Sequence, residues 1–191
     1  MGHRQLPCDC ATGYGRLVAL GVCLLFDRRT ERVLRELWDR LEERGVPTLR
    51  SHTHGRHHAH LSYAVLLEWN LDKVLDEVSA LPDRGPFELT FDALGAFRRG
   101  RICLVPAVPA DLVARQQVVV EAVRATGAQV HQHYETGRWL PHCSLAPRAR
   151  LERLPIVAAA VYDVLPLPAR VVRAALIDSA TGQVWPLPNL P

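Results

Sequence analysis

Two short phrases of this chain set a hydroxyl two residues after an imidazole: His60-Leu61-Ser62 and His142-Cys143-Ser144. Histidine's ordinary pKa of about 6.5 lets one ring stay neutral while a second is protonated, so a pair can divide the work of general base and general acid. Cleaving a phosphodiester near neutral pH asks for that division. One group takes the proton of the nucleophile, and another supplies one to the departing oxygen. In a strand the side chains alternate, so His60 and Ser62 project from one face, about 6–7 Å apart, while Leu61, Tyr63 and Val65 pack on the other. Serines so placed can donate to the non-bridging phosphate oxygens, where charge accumulates in the transition state. The arrangement needs no metal.

Nine histidines and thirteen serines or threonines would yield about 0.6 such triplets by chance, so the count alone carries nothing. Position carries more. Both triplets open apolar runs, Ala59 to Glu68 and His142 to Ala146, and both fall in the same slot of a repeating order of helix, His-strand, helix and hairpin. His60 and His142 lie 82 positions apart, as do Ile102 and Val184 in the two hairpins. Self-similarity at a fixed offset with only two copies predicts a pseudo-twofold pair of lobes.

The elements that would hold the motifs can be placed in turn. Residues 1–16 lack hydrophobic period and read as a poorly ordered extension. A buried strand is expected over Leu17–Phe26, then a helix capped by Thr30 with Val33, Leu34, Leu37, Trp38 and Leu41 at helical spacing, ending at Gly45. Asn70 caps a second helix that stops before Pro82. Phe87–Phe97 and Arg101–Ala107 pair around Arg98-Arg99-Gly100, and Pro109 opens a helix running to Gly127. A short helix over Leu151–Tyr162 and a final hairpin, Ala169–Asp178 with Gln183–Leu187, complete the chain. The fold class is α+β: a bilobal duplicated fold, with two mostly antiparallel sheets around a central cleft and helices outside. One bilobal domain occupies 17–191, its pseudo-repeats spanning about 28–108 and 109–190.

Composition is that of an ordinary globular chain, 48% hydrophobic and 23% charged, with a net charge of +3. Its bases are 22 arginines and the single Lys73, a skew that reads as codon bias more than as a nucleic-acid surface, although a modest excess suits an anionic substrate. The apolar run at Leu17–Phe26 is too short to span a bilayer, so no membrane partner is expected. Five cysteines (Cys8, Cys10, Cys23, Cys103, Cys143) without disulfide-like spacing point to a reduced, cytoplasmic protein, expected to be a monomer. Cys143, between His142 and Ser144, should face the core. The histidines of 52–58 read as a mobile loop at the cleft mouth rather than a fixed metal site. His131 and His133 share a face if Gln129–Tyr134 is a strand, where Tyr134 and Trp139 could stack a base. Arg56, Arg101, Arg138 and Arg148 are the bases nearest the motifs, and any of them could bind phosphate.

Paired His-x-Ser strands in a duplicated α/β chain of this size resemble the two-histidine (2H) phosphoesterase superfamily, and within it the 2′-5′ RNA ligase-like proteins and cyclic phosphodiesterases. The resemblance covers about Leu17 to Leu190. Its specific part is His60-Leu61-Ser62 and Pro141-His142-Cys143-Ser144-Leu145-Ala146. Both hydroxyl positions are Ser where many members carry Thr, Tyr63 stands where an aliphatic residue is commoner, and Pro147-Arg148 follows the second motif. The resemblance implies a cleft with metal- and cofactor-independent chemistry on 2′,3′-cyclic or 2′-5′ phosphate linkages of RNA ends or small nucleotides, reversible in principle as ligation. His60 and His142 would be catalytic, and Ser62 and Ser144 would bind phosphate. Arg56, Tyr134, Arg138 and Arg148 are candidate substrate contacts. The alternative is a module that binds RNA ends or nucleotides without turnover.

Overall fold

A computed structural model describes residues 19–191. The expected N-terminal extension, Cys8-x-Cys10 and the first two residues of the expected first strand lie outside the described residues. The first element, β1 (Leu20–Phe26), is buried along its whole length. Next comes α1 (Arg28–Glu43), which turns Leu34, Leu37, Trp38 and Leu41 inward. Their i, i+3, i+4, i+7 spacing forms one stripe, and each such side chain stabilises by about 1.5–3 kcal/mol when fully buried. The helix is capped by Asp27 rather than Thr30: the Asp27 carboxylate accepts from the Thr30 backbone N–H at 2.8 Å. Thr30 sits one turn inside, buried, and its hydroxyl accepts from the Arg170 N–H instead.

The first histidine strand is β2 (His60–Glu68), followed by α2 (Leu71–Ser79), which Asn70 caps as the sequence predicts. The hairpin β3 (Phe87–Phe97) and β4 (Arg101–Pro106) leads into α3 (Ala110–Ala125), with Pro109 at the N-cap. The condition that Gln129–Tyr134 be a strand is not met: only a two-residue β5 (Gln129–Val130) forms, which gives way to a 3-10 turn at Gln132–Tyr134. His131 and His133 therefore do not alternate along a strand. The second histidine strand, β6 (Cys143–Ala146), begins one residue after His142. A 3-10 turn (Leu151–Arg153) precedes α4 (Leu154–Tyr162), so the helix expected from Leu151 is regular only from Leu154, with Pro155 tolerated in its first turn. The final pair is β7 (Leu167–Asp178) and β8 (Val184–Pro186). No helix among the described residues is long and apolar enough to cross a membrane.

All strand pairings are antiparallel, and six strands close on themselves in the order β1, β2, β6, β4, β3, β7 and back to β1. The two halves thus share one circuit. Exchanging β1 with β4, β2 with β6 and β3 with β7 leaves the set of pairings unchanged, so the β3–β4 hairpin plays the part that β7 and β1 play across the chain. β8 and β5 are additions at the edge. Ile102 in β4 is therefore matched by β1 in the circuit rather than by Val184 in β8. The exchange has two fixed points, at the bridge Leu61↔Cys143 and at the middle of the β3–β7 register, Leu89↔Ala169.

The same irregularity occurs on both sides. In β1–β2 the register slips between Val22 and Cys23, leaving Tyr63 out; in β4–β6 it slips between Ile102 and Cys103, leaving Leu145 out. A bulge bends and twists its strand and re-aims the neighbouring side chain. Here each one brings a motif serine opposite a cysteine, Ser62 to Cys23 and Ser144 to Cys103. The omitted Tyr63 and Leu145 are fully buried in the core.

Candidate active site

Leu61 and Cys143 are the Cα partners of the only β2–β6 bridge, and both are wholly buried. Their neighbours at either side, His60, Ser62, His142 and Ser144, consequently emerge on the opposite face. Continuing that register sets His60 against Ser144 and Ser62 against His142. The two histidines are then diagonal neighbours, at a spacing on the order of 7–8 Å. They are close enough that a charge on His142 lowers the proton affinity of His60.

Each imidazole is fixed in the same way. His60 donates from Nδ1 to the His58 carbonyl at 2.8 Å, and His142 donates from Nδ1 to the Leu140 carbonyl at 2.8 Å. A carbonyl only accepts, so the neutral ring carries its proton on Nδ1 and leaves Nε2 with a lone pair. Burial depresses the pKa of both histidines. For His60 the carbonyl of His58 opposes this and the charges of His142 and His58 add to it. For His142 the Leu140 carbonyl opposes and Arg101 adds.

Each serine is also backed alike. Cys23 Sγ lies 3.6 Å from Ser62 Oγ, and Cys103 Sγ lies 3.9 Å from Ser144 Oγ. Burial pushes these thiols up, Cys23 to about 12 and Cys103 to about 11, so both remain protonated. A protonated thiol can donate weakly to Oγ and leave the serine its own proton for a ligand. Gly21 makes this contact sterically possible, because a Cβ there would lie 2.8 Å from Cys23 Sγ.

Around this matched core the walls differ. Beside His142 lie the rings of Phe97, at 5.3 Å between centroids, and Tyr134, at 6.4 Å. Phe97 reaches it by lying over Gly95, where a Cβ would come within 3.3 Å of the ring. The Tyr134 hydroxyl sits near Ser62, Cys23 and Cys103, and burial raises its pKa. Gln116, 1% exposed on α3, holds that segment: its amide donates to the carbonyls of Tyr134 (2.8 Å) and Tyr63 (3.2 Å). Trp139 Nε1 donates to the Ser62 carbonyl at 3.0 Å.

On the His60 side stands the histidine loop. His54 and His57 have ring centroids 4.1 Å apart, and Thr53 Oγ1 lies 2.8 Å from His57 Nε2. The loop is fastened to the β7–β8 turn. Arg56 donates to the Thr181 carbonyl at 2.8 Å, and the His54 ring lies against Gly182 where a side chain would clash. Arg56 is thereby engaged by a main-chain carbonyl of that turn. Among the described residues, no group of three or more His, Cys, Asp or Glu could hold a metal ion.

Of the other residues singled out from sequence, Tyr134 joins the motif cluster. Arg138 is exposed, in the turn before Trp139, and Arg148 is exposed, with its charge felt by His52. Arg101 is the arginine whose charge acts on His142, His131 and Tyr134. Phe97, Cys23, Cys103 and Gln116 have no motif of their own. The one local signal was a glycine inside a strand, at Gly21 and Gly95, which marks a close approach.

A family model described as the 2′-5′ RNA ligase superfamily matches residues 30–183. Among curated protein sequences none matches. Solved structures share the fold. The Escherichia coli LigT complexed with NADP+ superposes with a TM-score of 0.59 at 14% identity, over 89% of this chain and 94% of that one. A crystal structure of a phosphoesterase gives 0.60 at 14% identity, over 89% and 95%. Kluyveromyces marxianus Usb1 with uridine monophosphate gives 0.51 at 14% identity, over 90% and 98%.

Proposed function

This chain belongs to the 2′-5′ RNA ligase superfamily, and from that membership and the paired site we propose that it is a metal-independent phosphodiesterase acting on 2′,3′-cyclic or 2′-5′ phosphate linkages of RNA ends or small nucleotides. The observation that carries the reading is the matched fixing of His60 and His142. Each has Nδ1 tied to the carbonyl two residues before it, a serine two residues after it, and Nε2 left for chemistry.

In the proposed reaction one Nε2 takes the proton of water or a ribose hydroxyl as that oxygen bonds to phosphorus. The other imidazole, protonated, gives its proton to the oxygen whose bond to phosphorus breaks. Ser62 and Ser144 donate to the non-bridging oxygens as their charge rises. One proton enters the pair and one leaves it, so the reverse sequence joins two ends, and high concentrations of ends favour ligation. The pair works with one proton between two rings, and their mutual repulsion disfavours the doubly charged state.

The test is a panel of 2′,3′-cyclic nucleotides and 2′-5′-linked dinucleotides, with and without EDTA, for the wild type and for His60→Ala, His142→Ala and the double variant. Turnover in EDTA that each single variant abolishes is the expected result. Turnover that survives in the double variant removes the histidines from the mechanism, and inhibition by EDTA removes its metal independence. Tight binding of a cyclic nucleotide with no product after long incubation makes the chain a reader instead.

A further inference from the structure

We propose that the arginines gathered where the β3–β4 turn meets the turn after β6 form a second anion-binding surface, which grips the phosphodiester backbone of an RNA strand whose terminal phosphate lies between His60 and His142. This rests on the proposed function for the identity of the strand, and on the surface itself for the grip.

The two turns are stitched together. Ala149 donates its N–H to the Gly100 carbonyl at 2.8 Å. Gly100 has φ +72, and a Cβ there would lie 2.0 Å from the Ala149 carbonyl oxygen, so only glycine permits this docking. The stitch collects Arg98, Arg99 and Arg101 from one turn with Arg148, Arg150 and Arg153 from the other. The latter three line a groove of about 590 Å³ with Gly45, Pro47 and Glu152. Glu152 is the one carboxylate in the groove lining. In that groove three positive charges face one negative, with Arg98, Arg99 and Arg101 on the turn stitched to it, in a chain whose net charge is +3. None of the six forms an ion pair with a described residue.

A second groove shows the contrast. Along α1, a groove of about 410 Å³ lined by Arg28, Arg32, Arg35 and Arg50 also contains Glu31, Glu36 and Asp39. There Arg35 pairs with Glu31 and Arg50 with Asp39, each at 2.8 Å. Four positive charges stand there among three negative ones and two ion pairs form, whereas the arginines at the stitched turns form none and repel one another, and a polyanion relieves that repulsion.

The surface is continuous with the site. Arg101 acts electrostatically on His142, and its cross-strand partner Phe97 lies beside the His142 ring. From Cys103, behind Ser144, to Arg101 is two residues of strand, about 7 Å at strand rise, and the turn that carries Arg98 and Arg99 lies beyond it. A mononucleotide at the histidines does not reach that far, whereas a strand running on from it does. Phosphate contacts of this kind position a strand without reading its sequence.

The experiment compares a 2′,3′-cyclic mononucleotide with a single-stranded ten-nucleotide RNA ending in a 2′,3′-cyclic phosphate, for wild type and for the triple variant Arg98→Gln, Arg99→Asn, Arg150→Gln. Asparagine is used at 99 because it tolerates the φ of +66 found there. The expected result is unchanged turnover of the mononucleotide and a fall of about tenfold or more in kcat/KM for the RNA, mostly through KM. The logarithm of wild-type affinity for the RNA should fall with log salt by about 0.7 per phosphate contact, and more shallowly in the variant. Equal kcat/KM for the RNA in both proteins, or identical salt slopes, overturns the proposal. Should neither cyclic substrate turn over, the proposed function fails on its own. Direct binding of the same RNA then decides the surface: arginine-dependent binding upholds it, and arginine-independent or absent binding removes it.

Discussion

Leu61 and Cys143 face each other across the single bridge between β2 and β6, fully buried, with a motif histidine and a motif serine flanking each of them. The spacing of the two imidazoles therefore depends on packing behind the sheet, on the side away from the cleft. Leu61→Ala should cost about 2–5 kcal/mol of stability. It should also lower kcat at temperatures where the protein is still folded, because a β2 that settles into the cavity carries His60 with it. Denaturant unfolding and single-turnover rates on the folded variant check both parts; a stability loss with kcat intact would uncouple the bridge from the site.

The pH–rate profile should be bell-shaped and displaced toward acid. The base must be neutral and the acid protonated, and burial lowers the pKa of both His60 and His142. Both flanks therefore move below the ordinary value of about 6.5. Arg101→Gln removes a positive charge that lowers His142, so one flank should move back toward higher pH. The two apparent values belong to the pair rather than to either ring.

Cys23 and Cys103 should act as positioning residues for Ser62 and Ser144. A thiol hydrogen bond contributes about 0.5–1 kcal/mol, so Cys23→Ala or Cys103→Ala should lower kcat/KM about 2–5-fold. Cys→Ser, which keeps a donor, should recover part of the loss. Because burial holds both thiols protonated, neither should be alkylated in the native protein at pH 7–8. Rapid labelling at either position, mapped by mass spectrometry, would contradict that burial.

Gln116→Leu would leave the Tyr63 and Tyr134 carbonyls without the amide they now share. Leaving buried acceptors unsatisfied costs about 1–3 kcal/mol. Freed from its strut, Tyr134 should shift relative to His142. A rise in KM larger than the fall in kcat is the expected signature, alongside the lower thermal midpoint.

His57 makes stability depend on pH. Burial, then the charges of His54, His60 and His52, push its pKa down to about 4. The unfolded chain takes up that proton near 6.5, while the folded one stays neutral until about 4. More protons bind to the unfolded state in that window, so this contribution to stability is intact above 6.5 and lost as pH falls toward 4. His57→Gln should flatten the decline of the thermal midpoint over the same range.

The motif histidines, their serines and the amphipathic stripe of α1 are legible in the sequence because each rests on local periodicity. Two and 3.6 residues are properties of a single segment. The Asn70 cap is local for the same reason. What the sequence does not disclose depends on pairing between distant segments. Cys23 meets Ser62 only because a bulge discards Tyr63, and Phe97 meets His142 only because Gly95 lets the ring lie flat. The arginine excess likewise reads as mere composition until Gly100 docks on Ala149 and concentrates six of those side chains. Thr30 does not cap α1 because Asp27, three residues earlier, offers a carboxylate to the N–H of Thr30 itself and so places Thr30 inside the helix.

The two histidines have interchangeable backbones, tethers and serines, yet a nucleic-acid strand has a direction. A symmetric pair cannot distinguish the 5′ side of a phosphate from the 3′ side. What can is the unlike surroundings: the histidine loop pinned at Thr181 on one flank, and Phe97 with Tyr134 on the other. Under the proposed reaction, the polarity in which a strand lies down should then decide which ring serves as acid. Transplanting those walls from one flank to the other should reverse the duties without touching either motif.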